Sequence, residues 1–425
     1  MADTNDPDLD PALLRGLTQS RMGRRDLLRM FGAGAAGVGA TAFLSACGVG
    51  GQGVSHADAK AQAAGYWKGK RAKGVVDWAN WPLYIDTAGK NSSRHPSIEA
   101  FTRQTGTKVN YFEDIQDNGP FFAKVQPSLS AGQFSGYDLA VISAGIYFNK
   151  FRDLGFFIPL DHDRLPNFDK YGGAKFKNPV FDTGNTYSIP YQAGFTGIGY
   201  DPEKTGREIT SFEDLQDPKF KGKIGMFANN EDLPNSALLA VGVDPQQSTE
   251  KDWRKAADWL QKQQPLVRKY YSQDYISDLA KGDIWITQAW SGDIYQQNLS
   301  SGSNLKFVIP KERGLLWTDN FVLLKYAEHP VDAMKLMNFY YEPKPAAMLA
   351  EWVNYISPVP KAQQVVENDA AKASGSDATF LKSVAHSYAV FPTQSTYDKA
   401  VIGFTPKEGK QLDTWNSIFE PIYQG

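Results

Sequence analysis

One thiol, five histidines and two glycine-rich runs are the groups in this 425-residue chain whose chemistry depends most on spacing. Cys47 is the only cysteine, so no intrachain disulfide, CxxC pair or multi-cysteine zinc site can form, and the thiol needs another role. Gly32-Ala33-Gly34-Ala35-Ala36-Gly37 and Gly48-Val49-Gly50-Gly51-Gln52-Gly53 both spell the dinucleotide fingerprint. Neither follows a strand or opens a βαβ unit, so no phosphate-binding turn is expected of them. The sequence contains no HExxH, GxSxG or Walker A motif and its histidines are scattered, which leaves an enzyme as the weakest class. Tyr270-Tyr271 and Tyr340-Tyr341 supply paired phenols, donors suited to a hard cation such as iron. They keep a metal receptor open as an alternative, although the second pair falls on a helical pattern that packing explains equally well.

Composition narrows the field. The chain carries 45 basic and 47 acidic residues for a net charge of −2, so it has no positive field with which to hold a phosphate backbone, and nucleic acid is not an expected partner. With 42% hydrophobic and 22% charged residues it reads as a globular protein, and its length exceeds what one growing core sustains, so two lobes are expected. Ten Trp, 20 Tyr and 25 Phe suit either large cores or a pocket walled by rings.

The first 46 residues read as a leader. Arg24 and Arg25 precede an apolar, Gly/Ala-rich run from Met30 to Ala46 that is short for a membrane span and fits a cleaved secretory segment. The arginine pair resembles a twin-arginine export signal, with Leu27 where an aromatic is usual. Leu44-Ser45-Ala46-Cys47 resembles a bacterial lipobox, which makes Cys47 the carrier of a lipid anchor. Residues 47–73 then form a flexible Gly, Ala, Gln and Lys-rich tether.

From Gly74 short apolar strands alternate with amphipathic helices, an α/β pattern. Val75–Ala79, Val109–Phe112 and Asp138–Ile142 are predicted strands of one sheet, with helices through Ser97–Gln104 and through Phe122, Val125 and Leu129. Lys223–Phe227, Ile284–Thr287 and Lys306–Ile309 are predicted for a second sheet, and Trp253–Gln264 for a helix on it. Phe321–Leu324 and the helix Val331–Tyr340 are expected to return to the first lobe. The division is 74–194 plus 320–365 for lobe 1 and 195–319 plus 366–425 for lobe 2, with a cleft at the carboxyl ends of the strands.

Five segments in register carry a resemblance over most of this body: Asn80-Trp81-Pro82-Leu83-Tyr84-Ile85, Tyr137–Ser143, Tyr187–Tyr191, Trp290-Ser291-Gly292, and Pro310-Lys311-Glu312 leading to Trp317-Thr318-Asp319. Together they resemble the bacterial periplasmic spermidine/putrescine-binding proteins, a branch of the type II, two-lobed periplasmic-binding-protein fold. The resemblance implies a monomeric extracytoplasmic receptor that captures an organic cation by lobe closure and delivers it to ABC permease subunits, with no catalysis and no cofactor. It also implies an aromatic box closed by carboxylates, at Trp81, Tyr84, Trp290, Trp317, Asp319 and Tyr355, with Ser143 and Tyr147 on a second loop. Asn229 stands where the family places a first carboxylate and Asp232 near the second, and Pro82 replaces a polar residue. The chemistry fits, because a buried alkylammonium needs a carboxylate and ring faces attract cations. Asp319 is the expected partner of the ammonium group, with Trp81, Trp290 and Trp317 around it.

Overall fold

The computed structural model describes residues 63–89, 93–272 and 274–424. Arg24, Arg25, Cys47 and the rest of the leader lie outside the described residues, as does most of the tether.

The α/β alternation is present. Strands β1 (Val75–Ala79), β2 (Lys108–Phe112) and β3 (Leu139–Ser143) are parallel neighbours, joined through helices α1 (Pro96–Thr105) and α2 (Asn118–Ser130), and β3 leads into α3 (Ile146–Asp153). Leu139, Ala140, Val141 and Ile142 are all buried, as expected for a strand covered on both faces. Beyond them, β4 (Ser188–Tyr200) runs 13 residues without one exposed position. Strand β5 (Ile224–Phe227), helices α4 (Asp232–Ala240) and α5 (Glu250–Gln263), β6 (Val267–Tyr271), β7 (Ile286–Trp290) and α6 (Ser291–Ser301) follow, then β8 (Lys306–Val308) and β9 (Gly314–Leu323).

The two expected sheets are one. Its ten strands run β2-β1-β3-β9-β4-β7-β5-β6, with β8 on β4 and a short β10 (Ala400–Val401) on β9. The continuity comes from β4 and β9, which pair antiparallel from Ser188↔Val322 to Thr196↔Leu315, with a bulge between Pro190 and Gln192. Of these two strands only the end of β9, at Phe321–Leu324, was predicted as an apolar run; β4 was marked only by the Tyr187–Tyr191 segment. Strand β7 also starts two residues later than the predicted Ile284, because Trp285 turns aside to bond Lys223 O and the ladder to β4 begins at Ile286.

Each crossing strand serves two cores, which is the two-lobed architecture. Ile189 and Tyr191 of β4 and Phe321 and Leu323 of β9 pack with Val76 and Trp78 in the first core. Ile198 and Tyr200 of β4 and Leu315 of β9 pack with Ile224, Ile286 and the aromatic pair Trp415 and Phe419 in the second. Helix α5 buries Trp253, Ala256, Ala257 and Leu260 against that pair, a stripe at the helical period, and full burial of each large side chain contributes about 1.5–3 kcal/mol.

One expected boundary changes. Residues 366–390 were assigned to lobe 2, yet Val366, Ala370, Leu381, Val384, Ala385 and Val390 belong to the first core beside Trp78. They lie on helices α8 (Ala362–Lys372) and α9 (Gly375–Ala385), which follow α7 (Pro343–Val353). Amphipathic spacing marks a buried face without saying which core covers it, so the chain leaves lobe 1 later than expected. The second core gains Trp415, Phe419 and Ile422 from α10 (Lys410–Gln424).

Two buried carboxylates fasten the first lobe. Asp138 Oδ2 accepts the Asp77 N–H at 2.9 Å and the His329 ring at 2.8 Å, while its Oδ1 accepts the His329 N–H. Asp332, fully buried in the helix Pro330–Phe339, accepts from Lys73 N at 2.6 Å, Gly74 N at 3.2 Å and Thr107 Oγ1 at 3.2 Å, which fixes the entry of β1. Asp332→Ala strands those donors and is expected to lower the unfolding free energy by about 2–3 kcal/mol. Urea unfolding followed by circular dichroism reads this, and an unchanged midpoint would contradict the fastening role.

Candidate functional site

A cavity of about 620 Å³ opens between the two cores, and all ten residues named from the sequence line it: Trp81, Tyr84, Ser143, Tyr147, Asn229, Asp232, Trp290, Trp317, Asp319 and Tyr355. They do not form one box around one acid. Two carboxylates stand on different walls, each with its own set of neutral donors.

Asp319 is buried, with 8% of its surface exposed. The β3–β9 ladder sets Ser143 directly opposite it, and Ser143 Oγ donates to Oδ1 at 2.5 Å. Tyr84 OH donates to Oδ2 at 2.7 Å. The loop that carries Tyr84 is held from within: Asn80 Oδ1 accepts the Trp81 N–H at 2.9 Å, Asn80 Nδ2 donates to Tyr84 O, and Tyr191 OH donates to the same carbonyl at 2.6 Å. Leu83 takes a φ of 58°, a left-handed conformation costly for a branched side chain, and its N–H bonds Glu113. The Trp81 indole N–H is fixed on Val141 O at 2.9 Å.

Asp232 opens α4 on the second core. Its Oδ1 accepts from Thr196 Oγ1 at 2.7 Å, and its Oδ2 from Asn229 Nδ2 at 3.2 Å and from the Trp290 indole at 3.3 Å. Thr196 and Trp290 are register partners in the β4–β7 ladder, so strand pairing brings hydroxyl and indole to one carboxylate. Burial raises this carboxyl above the ordinary aspartate range, and the Thr196, Trp290 and Asn229 hydrogen bonds pull it back. Trp290 lies against Phe227, with ring centroids 4.5 Å apart.

This geometry defines the surroundings of three of these residues. The indole of Trp290 is aimed at Asp232 and not at Asp319. Asn229 is less a substitute for a carboxylate than a helix cap, since its Oδ1 accepts the N–H of Asp232 at 2.7 Å and of Glu231 at 3.2 Å. Tyr147 lines the cavity with its ring packed on Phe122 and its hydroxyl close against Gly119.

Trp317 and Tyr355 complete the wall, 5.3 Å apart and edge to face, with Tyr84 5.8 Å from Tyr355. Asp293, missed in the sequence, orders this corner: it accepts from Tyr355 OH at 2.6 Å and Tyr275 OH at 3.0 Å. Its signal was its place three residues after Trp290, in the first turn of α6. Glu231, also missed, lines the cavity beside Asp232. The tyrosine pairs that kept iron open do not line it: Tyr341 OH bonds Pro190 O, Tyr340 packs in the first core, and burial pushes both hydroxyls well above the ordinary tyrosine range.

The sequence matches the bacterial extracellular solute-binding protein family over residues 137–381, more than half of the chain. It is 28% identical over 293 residues to the spermidine/putrescine-binding periplasmic protein of Escherichia coli, covering 69% of this chain and 80% of that one. It is 30% identical over 317 residues to the putrescine-binding periplasmic protein SpuD of Pseudomonas aeruginosa, covering 69% and 82%. The crystal structure of the spermidine/putrescine ABC transporter substrate-binding protein PotD from Streptococcus pneumoniae shares the fold, with a TM-score of 0.69 at 23% identity over 83% of this chain and 99% of that one.

Gly194 faces Trp317 across the β4–β9 ladder, and a Cβ there would overlap the indole ring. Gly194→Ala is expected to push Trp317 from its place on the wall and to cost about 1–3 kcal/mol of stability. A shift in tryptophan emission together with a lowered melting temperature checks this, and a variant with wild-type emission would show that the wall yields elsewhere.

Proposed function

This chain belongs to the bacterial extracellular solute-binding protein family, and from that premise we propose that it captures a protonated diamine or polyamine outside the cytoplasm by closing two lobes, then presents it to an ABC permease. The observation that carries the reading is the pair of carboxylates, Asp319 and Asp232, on opposite strand systems of one aromatic-walled cavity. An alkylammonium has a pKa of about 10 and stays charged at neutral pH, and burying it unpaired costs several kcal/mol. Two acids fixed on two cores can each receive one end of a diamine, while indole and phenol faces cover the methylene stem and attract the charge by about 0.5–2 kcal/mol each. The names of the Escherichia coli and Pseudomonas aeruginosa relatives point to the same ligand class.

Closure follows from the crossing strands. The lobes in this reading are 74–194 with 318–390, and 195–317 with the C-terminal segment from Ala400, so that Asp319, opposite Ser143 of β3, belongs to the first lobe and β4 and β9 are the hinge. A cation that bridges Asp319 and Asp232 makes contacts available only when the lobes meet, which is the differential affinity that closure requires. No helix of the described residues is long and apolar enough to cross a membrane. The lipobox-like Leu44-Ser45-Ala46-Cys47 supports retention at the membrane by a lipid on Cys47 after removal of residues 1–46 by a twin-arginine-type route, and mass spectrometry of the mature N-terminus tests it. An unmodified Cys47 in native membranes would remove the anchor.

Asp319→Ala leaves one ammonium buried without its partner and is expected to weaken putrescine binding at least about 100-fold, corresponding to about 3 kcal/mol or more. Asp319→Asn keeps the shape and isolates the charge. Calorimetry on both, with a thermal-shift panel of putrescine, spermidine, spermine, agmatine, amino acids and Fe(III), decides the ligand class. Wild-type affinity in either variant contradicts the assignment, and stabilisation by Fe(III) alone would favour a metal receptor.

A further inference from the structure

Glu231 immediately precedes α4 and lines the cavity beside Asp232. Its Oε1 accepts the N–H of Ile146, the first residue of α3, at 2.5 Å. The partners belong to different halves of the molecule. Phe148 and Phe151 of α3 pack with Ala79 and Ile142, whereas Leu233, two residues after Glu231, packs in the second core. A second contact joins the same helix to the C-terminal segment, where Lys150 Nζ lies 3.1 Å from Glu408 Oε1. Gly145 permits the approach, because a Cβ there would overlap the Glu231 carboxylate. A carboxylate at the N-terminus of a helix is well placed, yet this one comes from the far side of the cleft, so opening the lobes must break the bond.

We propose that Glu231 is a proton-operated bridge across the cleft, protonated while the closed site is empty and ionised when a cationic ligand fills it. The inference rests on the reading of the cavity as a site for protonated amines. Burial raises the Glu231 carboxyl to about 7; the Ile146 N–H opposes the rise, and the Asp232 and Asp117 charges add to it. The other charged groups around it are Asp319, Arg152, Lys175 and Lys407 on the cavity wall, and Lys150 on α3, which Glu408 already engages. No ion pair with a lysine or arginine is found for Glu231 among the described residues.

The direction of the pH dependence follows from linkage. A carboxyl raised above its ordinary value in the closed cleft takes up a proton on closure, so the empty closed form is favoured below about pH 7 and loses that advantage as the pH rises through it. A cation in the cavity favours the carboxylate, so binding expels the proton. Affinity then increases with pH up to about 7 and levels off above.

Calorimetry with putrescine at pH 7 in phosphate and in Tris reads the proton directly. Wild type is expected to show different enthalpies in the two buffers, reporting release of a fraction of a proton per ligand, and Glu231→Gln the same enthalpy in both. Equal buffer dependence in the two proteins, or none in either, overturns the bridge and leaves the amine reading standing. Small-angle scattering of the ligand-free proteins between about pH 5.5 and 8.5 decides the bridge even where no amine binds. An expansion with a midpoint near pH 7 in wild type and absent from Glu231→Gln supports it, while superimposable pH profiles overturn it. Failure of putrescine and spermidine to bind wild type counts against the amine reading alone.

Discussion

The antiparallel pairing of β4 with β9 is the constraint on which the site depends. Both strands pass between the cores, and their register decides which side chains face the cavity. Trp317 and Asp319 are two residues apart on β9 and so share a face, while Gly194, opposite Trp317, leaves the room that the indole needs. A slip of one residue would turn the Trp317 ring and the Asp319 carboxylate off the face they share. The same ladder system continues outward on each side, through β3 to Ser143 and through β7 to Trp290. Strand pairing thus sets Ser143 against Asp319 and brings Thr196 and Trp290 to Asp232, while Tyr84 and Asn229 reach them from loops. The cost of organising each wall falls on folding, and a preorganised wall loses less on association.

The cavity is lined by acids that several neutral donors orient. Asp319 is met by two hydroxyls, and Asp232 by a hydroxyl, an amide and an indole. Neutral donors orient a carboxylate and lower the penalty of burial. The upward displacement of Asp232 and Glu231 by burial records what remains unpaid. The second lobe's wall is also tuned by Asn229, which caps α4 as an aspartate would while adding no charge beside Asp232. The nearby acid is Glu231, and its attachment to Ile146 places it at the seam between the lobes.

Much of this was legible in the sequence, for reasons that differ by level. The strands Val75–Ala79 and Leu139–Ser143 and the helix Glu250–Gln263 declare themselves by apolar runs or by a stripe at helical spacing. The single sheet did not, because β4 contains Gly194, Gly197 and Gly199, which break the apolar pattern; only pairing with β9 makes such a segment a buried strand. The helices at 362–385 show a buried face without naming the core that buries it. At the site, residue types were legible and their partners were not. Trp290 was recognisable as a cavity residue, but its alliance with Asp232 depends on the Thr196↔Trp290 register, which no local pattern specifies. Asp293 and Glu231 were hidden for a further reason: each is an acid in the first turn or at the start of a helix, where stabilising a helix terminus accounts for it fully until the other lobe is in view.

The first loop shows why the aromatic wall can be preorganised as well as the acids. Pro82 restricts the backbone just before Leu83, whose left-handed φ would otherwise be avoided, and Asn80 closes the turn from inside with bonds to Trp81 N and Tyr84 O. Tyr191, from β4, grips the same Tyr84 carbonyl and packs against its ring at 5.5 Å. Strain at Leu83 is therefore held by three contacts that also aim the Tyr84 hydroxyl at Asp319. The donor that a polar residue in place of Pro82 would have offered the ligand is absent, and what the loop gives instead is a tyrosine that cannot swing away. For a flexible ligand, whose own ordering opposes binding, a wall that is already ordered is the more useful contribution.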